Sequence, residues 1–495
     1  MSALNRSSHP DPLPASALPP VGILQIGDGN FLRAFADWMI DVANEAGLLN
    51  ARIVIAPPRS AGIVERLNGQ DGLFTVLVRG IQNGVPVNTR RIVRCVTGGV
   101  NPRHHPEALL THARNSQTRF VISNTTEAGI TYVEQPHHPN QWPRSFPAQV
   151  ATLLWERFQT LGGGPKTGLL FLPTELIEAN GVTLRDIVLR HANDWALPQA
   201  FSDWVQQHNH FLNTLVDRIV PGYPATEADS LFAELGYTDS LLVAAEPFHL
   251  WVIEGPPALA DEFPLHKAGL NVIWTEDLKP YRASKVRILN GGHTASVLAA
   301  FCGGLDTVGE MMNHAVTADF LRRVVFEEIV PFVPLPEAER RQYAESVLER
   351  FANPSIRHEL LSIALNSVAK WKVRVLPSVL DYANQHGNAP AGLAFSLAAL
   401  LWFYRGQLDA AGEFIGQREA GAYPIRDDRA VLEIFAAAWR EPVNVASTLL
   451  ADKRLWGMDL TSVPELTPRV GDALDRIATV GLMPALAYLL AHAPN

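Results

Sequence analysis

Short apolar runs recur through the first half of the chain, and the first passes straight into a helix. Val21–Ile26 (VGILQI) is followed by Gly27-Asp28-Gly29 and then by NFLRAFADWMIDVANEAG, whose apolar residues fall at helical spacing. Residues 51–56 (ARIVIA), 119–123 (RFVIS) and 168–173 (GLLFLP) repeat the pattern of a strand buried on both faces. Helical stretches at 149–161 and 184–193 come after the later runs. Such alternation calls for an α/β architecture, a parallel sheet with crossover helices.

Where a parallel strand meets a helix, Gly27 and Gly29 provide a tight turn and bare backbone on which a pyrophosphate can settle at the helix N-terminus. The third glycine of the dinucleotide fingerprint is missing, so an ordinary βα turn is the competing reading. The second strand ends in Pro57-Pro58-Arg59. No acid stands there for the ribose hydroxyls, and Arg59 suits a 2′-phosphate, so these residues leave NAD and NADP both open. Residues 74–79 and 88–96 read as a hairpin around Asn83-Gly84. Beyond residues 119–123 the polar run Asn124-Thr125-Thr126-Glu127-Ala128-Gly129 falls past the carboxyl end of a strand, where dinucleotides bind. Asn180 before Gly181 fits left-handed turn chemistry. Residues 201–216 read as a helix, and 239–245 and 248–253 as strands around Glu246-Pro247.

Strand-like sequence stops near 274–280. Helical patterns follow at 318–329, 337–351, 355–370, 391–405, 430–439 and 471–490. The expected organisation is a flexible leader at 1–20, a dinucleotide-binding domain at 21–277 and an all-helical domain at 278–495. The leader is rich in Pro, Ser and Ala and lacks the apolar core of a signal peptide. The longest apolar run, 391–404, is shorter than the ~20 residues a bilayer needs, so it reads as a buried helix. A net charge of -9 argues against a nucleic-acid surface and leaves a small molecule as the expected partner. Cys95 and Cys302 cannot build a disulfide framework and show no zinc spacing, which suits a reducing cytoplasm and a metal-free site.

The stretch 279–304, KPYRASKVRILNGGHTASVLAAFCGG, carries the chemistry. On a regular helix Lys285, Asn290 and His293 share a sector about 140° wide over roughly 12 Å of axis. The Gly291-Gly292 pair costs about 1 kcal/mol per residue in a helix, and either a ligand or a packing neighbour would justify it. Later, Arg357, His358, Lys370, Lys372 and Arg374 crowd together, with Trp371, Val373 and Val375 alternating among the last three. A solvated basic face is one reading; half-buried cations waiting for an anion is the other.

Lysine, asparagine and histidine at this spacing, followed by Asp306-Thr307-Val308-Gly309, resemble the active-site helix of the polyol-specific long-chain dehydrogenases, the family of mannitol dehydrogenase. GDGNFLRAF, SNTTEAGI, EPFHLWVIEG and KWKVRVLPS are similar to segments of the same family, and the wording of SNTTEAGI and KWKVRVLPS is nearest to its uronate-reducing branch. The resemblance implies a Rossmann-like N-terminal domain, an all-α C-terminal domain and zinc-independent hydride transfer with NAD. It implies cofactor contacts from Gly27, Gly29, Asn30, Phe31, Arg33, Asn124, Thr125 and Glu127. Lys285 would be the acid-base group, Asn290 a donor to the reacting oxygen and His293 a clamp on a substrate hydroxyl. Substrate contacts would come from Asn180, Lys372 and Arg374. A lysine in that role works near neutral pH if its pKa falls from ~10.4 toward 7 or 8, and Arg282 and Arg287 would help. The mannitol branch has a glutamate where this chain has Arg282. A cation there favours a carboxylate, and the resemblance to the uronate-reducing branch implies a keto-uronate substrate, D-tagaturonate, reduced to D-altronate. Fructuronate, a mannitol-type polyol and a non-catalytic nucleotide sensor are the alternatives.

Overall fold

In the computed structural model, which describes residues 1–9, 18–58, 62–138, 141–409 and 412–492, the apolar runs of the first half pair in parallel. The sheet runs Val96–Gly99, Arg52–Ala56, Val21–Ile26, Phe120–Ser123, Leu170–Pro173, His210–Phe211. Numbered along the chain, that spatial order is 3-2-1-4-5-6, the doubly wound dinucleotide-binding order. Both faces are covered, which is why the runs are continuously apolar. Ile23, Ile53, Ile55, Ile122 and Leu172 face one layer, while Leu24, Ile26, Val54, Val121 and Phe171 face the other.

Two units result, one of Met1–Gly80 with Pro86–Leu278, the other of Ile81–Val85 with Lys279–Asn495. Phe74–Gln82 lies between Val85–Val93 and Val243–Ala245. Asn213–Asp217 pairs with Leu250–Glu254, and Val272–Thr275 completes that small sheet. The helix expected over 201–216 is therefore half strand. It runs only from Gln199 to His208. Asn209 stops it by turning extended and accepting the Leu169 N–H at 2.9 Å, which feeds His210–Phe211 into the sheet edge.

The expected flexible leader is also corrected over its first nine residues. Ser2–Ala3 pairs in parallel with Tyr237–Thr238, Leu4 is fully buried beside Leu73 and Tyr237, and the Arg6 N–H donates to Asp71 at 3.0 Å. A leucine with no exposed surface supplies the apolar burial that holds this strand. Residues 10–17 of the leader lie outside the described residues.

One buried acid in this unit predicts a pH effect. Asp37 is fully buried, Oδ1 has no hydrogen-bond partner, and burial pushes its carboxyl up to about 8 against the opposing pull of Gln25 and Arg33. Between the unfolded value of 3.8 and about 8 only the folded state holds the proton, so stability falls as pH rises through that window. Asp37→Asn keeps the side chain neutral. Its Tm is expected to fall less than the wild type's between pH 5 and pH 8; parallel falls would assign the effect to other groups.

Helices dominate the second unit. Ala391–Phe403 is buried around nearly its whole circumference, and its first turn is closed by Glu328, which accepts from the Gly392 and Leu393 N–H groups at 2.8 and 2.7 Å. Among the described residues no helix is long and apolar enough to cross a membrane. The unit is not all-helical as expected. Gly406–Leu408, Phe414–Arg418 and Gly421–Pro424 form an antiparallel sheet. Gly416 permits it, because a Cβ there would stand 2.5 Å from the Tyr423 ring. Two expected helices are broken by left-handed or glycine positions. Asn366, at φ 52°, separates Leu360–Ile363 from Ser367–Arg374, and Gly481, at φ 85°, separates Leu466–Val480 from Leu482–His492.

Candidate functional site

In the first unit the strand order reverses between Val21–Ile26 and Phe120–Ser123, and the turns that leave these strands meet there. The Asn124 N–H donates to the Ile26 carbonyl at 3.0 Å and the Gly27 N–H to the Ala56 carbonyl at 3.1 Å. Gly27, at φ 140°, has no room for a side chain, since a Cβ would lie 2.8 Å from the Asn124 carbonyl oxygen. Gly29 is exposed, and a Cβ there would meet nothing within 4 Å. Bare backbone therefore leads into a continuous helical stretch, Asn30–Leu32, Arg33–Asp37 as a π-turn and Trp38–Glu45, whose first N–H groups have no partner within the helix. That cradle fits a dinucleotide pyrophosphate. Asp28, half-buried between the glycines, has its carboxyl raised by burial.

Arg33 does not reach outward to such a cofactor. It is buried at the start of the π-turn, donates to the Leu241 carbonyl and to Asn30 Oδ1, and lies 5.4 Å over the Phe74 ring. Burial lowers its pKa to about 10, which leaves it charged. Its role is to anchor the helix. Asn30 is exposed and steered by this contact, and half-buried Phe31 stacks on Phe35 at 4.8 Å. At residue 59 the expected 2′-phosphate contact lies outside the described residues.

The Asn124 loop is organised by an acid that spacing did not single out. Glu175, almost fully buried, accepts from Ser123 Oγ at 3.0 Å and from the Thr125 N–H and Oγ at 2.9 Å each. Burial raises its carboxyl, and the three donors work against that. Thr125 is thus turned toward Glu175, and Asn124 Nδ2 donates to Thr174 Oγ1 at 2.9 Å. Thr126 holds φ 77°, a strained setting for a β-branched residue. Glu127 opens a 3₁₀ turn, and its side chain lies outside what is described.

Asn180 is not a free donor. It has no exposed surface, its Nδ2 donates to the carbonyls of Pro173, Glu175 and Thr214, and its Oδ1 accepts from the N–H groups of Gly181 and Thr214 at 2.9 Å each. Every polar atom of the amide is engaged with the backbone, so the expected substrate contact is corrected to a structural one.

In the second unit the 279–304 helix is built of three registers: α over Lys279–Ser284, π over Lys285–Asn290, α over Gly291–Cys302. A π-turn closes i to i+5, so Lys285 and Asn290 stand closer in angle than the 140° spread of an ideal helix. Such turns concentrate at functional sites. Lys285 and Asn290 are both half-buried. The glycine pair proves to be a packing device. A Cβ on Gly291 would stand 3.0 Å from the Arg374 carbonyl oxygen, and one on Gly292 3.3 Å from Val325 Cγ2.

His293 is held flat on Phe351, centroids 3.7 Å apart and planes within 6°, and edge-on to His358 at 5.7 Å. Burial first, then the charges of His358, Arg350 and Arg374, drive its pKa well below the usual histidine value. The ring is neutral, and its buried Nε2 has no hydrogen-bond partner. A sealed, unsatisfied nitrogen is costly unless a ligand group meets it. Phe351 was invisible to sequence reasoning because its helix, Glu337–Phe351, carries no spacing signal that ties it to residue 293.

The basic strip divides. Arg374 donates to Thr294 Oγ1 at 3.4 Å, and Thr294 Oγ1 in turn donates to the Asn290 carbonyl at 2.8 Å. Burial lowers the Arg374 pKa. Lys372 faces the other way, its ammonium so close to Gly457 that a Cβ there would lie 3.0 Å from Nζ. The strip is helical, and residues two apart point to opposite sides. Trp371 and Val375 are buried while Val373 is exposed, and of the two expected substrate contacts, Lys372 and Arg374, Arg374 is the one that lies beside Thr294. Arg287 is committed to Asp381 at 2.6 Å. Arg282, half-buried three residues before Lys285, has no ion-pair partner among the described residues. Nor do any three His, Cys, Asp or Glu side chains cluster among those residues to hold a metal ion.

Comparison with known proteins bears on both units. The Mannitol dehydrogenase Rossmann domain matches residues 21–267 and the Mannitol dehydrogenase C-terminal domain residues 277–478. The chain is 44% identical to an altronate oxidoreductase of Yersinia enterocolitica, with 98% of this chain and 99% of that protein covered. It is 43% identical to the altronate oxidoreductase of Escherichia coli, covering 99% and 100%, and 42% identical to that of Halalkalibacterium halodurans, covering 95% and 93%. Among solved structures, D-sorbitol dehydrogenase superposes with a TM-score of 0.80 at 23% identity over 98% of this chain and all of that one. Pseudomonas fluorescens mannitol 2-dehydrogenase, solved with NAD and D-mannitol, gives 0.68 at 23% identity over 99% and 100%. At that identity the likeness is one of fold.

Proposed function

This chain belongs to the mannitol dehydrogenase family, and from that premise we propose that it is an NAD-dependent oxidoreductase interconverting D-tagaturonate and D-altronate. The observation that carries the reading is its near-full-length identity of 42 to 44% to altronate oxidoreductases. The chemistry of the second unit supports it.

When bound, reduced nicotinamide supplies the hydride that adds to the substrate's carbonyl carbon. The chain's own residues must then deal with the oxygen. Lys285 gives it a proton and regains one from solvent, and in the oxidation direction it accepts that proton. Asn290, brought closer in angle to Lys285 by the π-turn, donates to the oxygen as negative charge gathers on it. His293, neutral and with an unsatisfied Nε2, holds a neighbouring hydroxyl. The Gly27 turn, Gly29 and the start of the following helix hold the pyrophosphate, and Asn124 stands at the same switch point.

Arg282 and Arg374 receive the uronate carboxylate, which a neutral polyol lacks. Replacing Arg282 with alanine is expected to raise KM for tagaturonate by at least about tenfold, the worth of a charge-assisted hydrogen bond of 1.5–3 kcal/mol. KM for fructose should move little; equal effects on both would remove Arg282 from the carboxylate site. NAD is taken over NADP because the family resemblance implies it. Arg103, which donates to the Pro58 carbonyl at 3.2 Å, sets a cation near the end of the second strand, so both cofactors belong in the assay. The decisive experiment is oxidation of NADH and of NADPH, followed at 340 nm, against tagaturonate, fructuronate and fructose. Turnover of tagaturonate with NADH is the expected result. Activity with fructose alone, or with none of the three, would refute the assignment.

A further inference from the structure

The χ2 torsion of a histidine is broad, so covalent geometry leaves the plane of the His293 imidazole loose. A neighbouring surface has to set it. In the second unit that surface is the ring of Phe351, 3.7 Å away from centroid to centroid with the planes 6° apart. At this separation the two faces are in van der Waals contact, and turning the imidazole about χ2 would drive its edge into the phenyl.

Phe351 is itself held in place. It is 4% exposed and ends the helix Glu337–Phe351, and the bare backbone of Gly292 lies beside it, where a Cβ would come to 3.9 Å from Phe351 Cε2. His358 meets the same imidazole edge-on, at 5.7 Å and 88°. Its backbone is pinned, since the His358 carbonyl accepts the Val308 N–H at 2.9 Å beside the bridge between Thr307 and Glu359. Residues at the two ends of segment 351–358 therefore bound one imidazole.

An aliphatic neighbour would cover His293 by area alone; a flat ring adds an orientation. That orientation matters because the partner is polar. His293 Nε2 is shielded from solvent and has no hydrogen-bond partner, so the ring plane alone decides where the nitrogen points. Cover on the ring face also bears on charge. Burial is the largest of the causes that hold the imidazole neutral, ahead of His358, Arg350 and Arg374. A neutral imidazole offers one donor and one acceptor nitrogen. Hydrogen bonds weaken steeply when bent, so a group that holds a hydroxyl gains from a ring kept in one plane.

We propose that Phe351 is a positioning residue: its ring sets the plane of the His293 imidazole and so the direction in which a substrate hydroxyl is held. The inference rests on the reading of His293 as the group that holds that hydroxyl, and Phe351 acts through it.

The test is a double-mutant cycle on the full chain, with wild type, Phe351→Leu, His293→Ala and the two combined. Kinetics are measured on whichever of tagaturonate, fructuronate and fructose the wild type reduces. Leucine keeps the site apolar and removes the flat face. Phe351→Leu is expected to raise KM about five- to tenfold, the loss of one neutral hydrogen bond, with kcat within about twofold of wild type. In the His293→Ala background the same change should move KM by less than about twofold, whereas a purely packing role would give equal rises in both backgrounds. In protein labelled with ¹³C at histidine Cε1, the His293 signal, identified by its loss in His293→Ala, should move downfield in Phe351→Leu as the phenyl ring current is removed. If Phe351→Leu does not fold, Phe351→Met carries the same cycle. An unchanged KM, equal rises in both backgrounds or a His293 signal that stays in place would overturn the proposal while leaving the reaction assigned. A KM indifferent to His293→Ala would remove the hydroxyl contact and this proposal with it, and a wild type inactive on all three sugars would remove the assigned reaction as well.

Discussion

Replacing Lys285 with methionine is expected to lower kcat for tagaturonate reduction by about 10²- to 10⁴-fold, the usual worth of a positioned acid-base group. Methionine keeps the length and apolar character of the stem and removes the proton carrier. Because the change leaves the Gly27 and Gly29 backbone untouched, the dissociation constant for NADH, read by its fluorescence, should stay as it is. An unchanged melting temperature would show that the helix is intact. If the variant kept more than about a tenth of wild-type kcat, Lys285 would not be the group that moves the proton. The lysine reading and the family assignment stand apart here, since turnover of the wild type tests the second and this variant tests only the first.

The other large effect concerns stability. Asn180→Leu keeps the volume and shape of the side chain but removes every hydrogen bond of a fully buried amide. The N–H groups of Gly181 and Thr214 lose their acceptor, and three carbonyls lose a shared donor. Each buried group left unpaired costs about 1–3 kcal/mol, so a loss of about 3 kcal/mol or more is expected, even allowing for partial relaxation. For a unit of this size that lowers Tm by roughly 5–10 °C. Activity per folded molecule at low temperature should be little changed. The opposite outcome, a stable protein with a large fall in kcat, would restore Asn180 to the substrate site.

The contrast between these two residues shows what the sequence could and could not tell. The parallel strands were legible because burial on both faces leaves an unbroken apolar run, and the first glycine turn because backbone geometry dictates its residue. Lys285, Asn290 and His293 were legible as a group. Their arrangement was not, since no residue type marks a π-turn and an ideal helix would spread them apart. Arg33 resembled a cofactor contact, yet it points inward to Leu241, a partner 208 residues away that no local pattern reveals. Similarly, residues 201–216 kept their apolar residues at helical spacing through Leu212 and Val216. What ends the helix is the Asn209 side chain meeting the Leu169 backbone, an event settled by tertiary pairing. Leu4 was hidden for a different reason: one leucine in a polar, proline-rich stretch gives no periodic signal, although it is wholly enclosed. The glycine pair at 291 and 292 was ambiguous because ligand and neighbouring helix make the same steric demand, and only coordinates tell them apart.

The π-turn at Lys285–Asn290 has a consequence for how such a site can change. It acts as a phase shifter on a screw, one surplus residue that resets the angular origin for everything beyond it. Point substitutions leave that offset intact and can retune substrate preference gradually. Loss of a single residue from the turn would swing His293 and Thr294 away from Lys285 together, without altering any of the three. Relatives that diversify by exchanging side chains around a constant residue count are therefore the expected evolutionary pattern, and length changes should collect outside this segment.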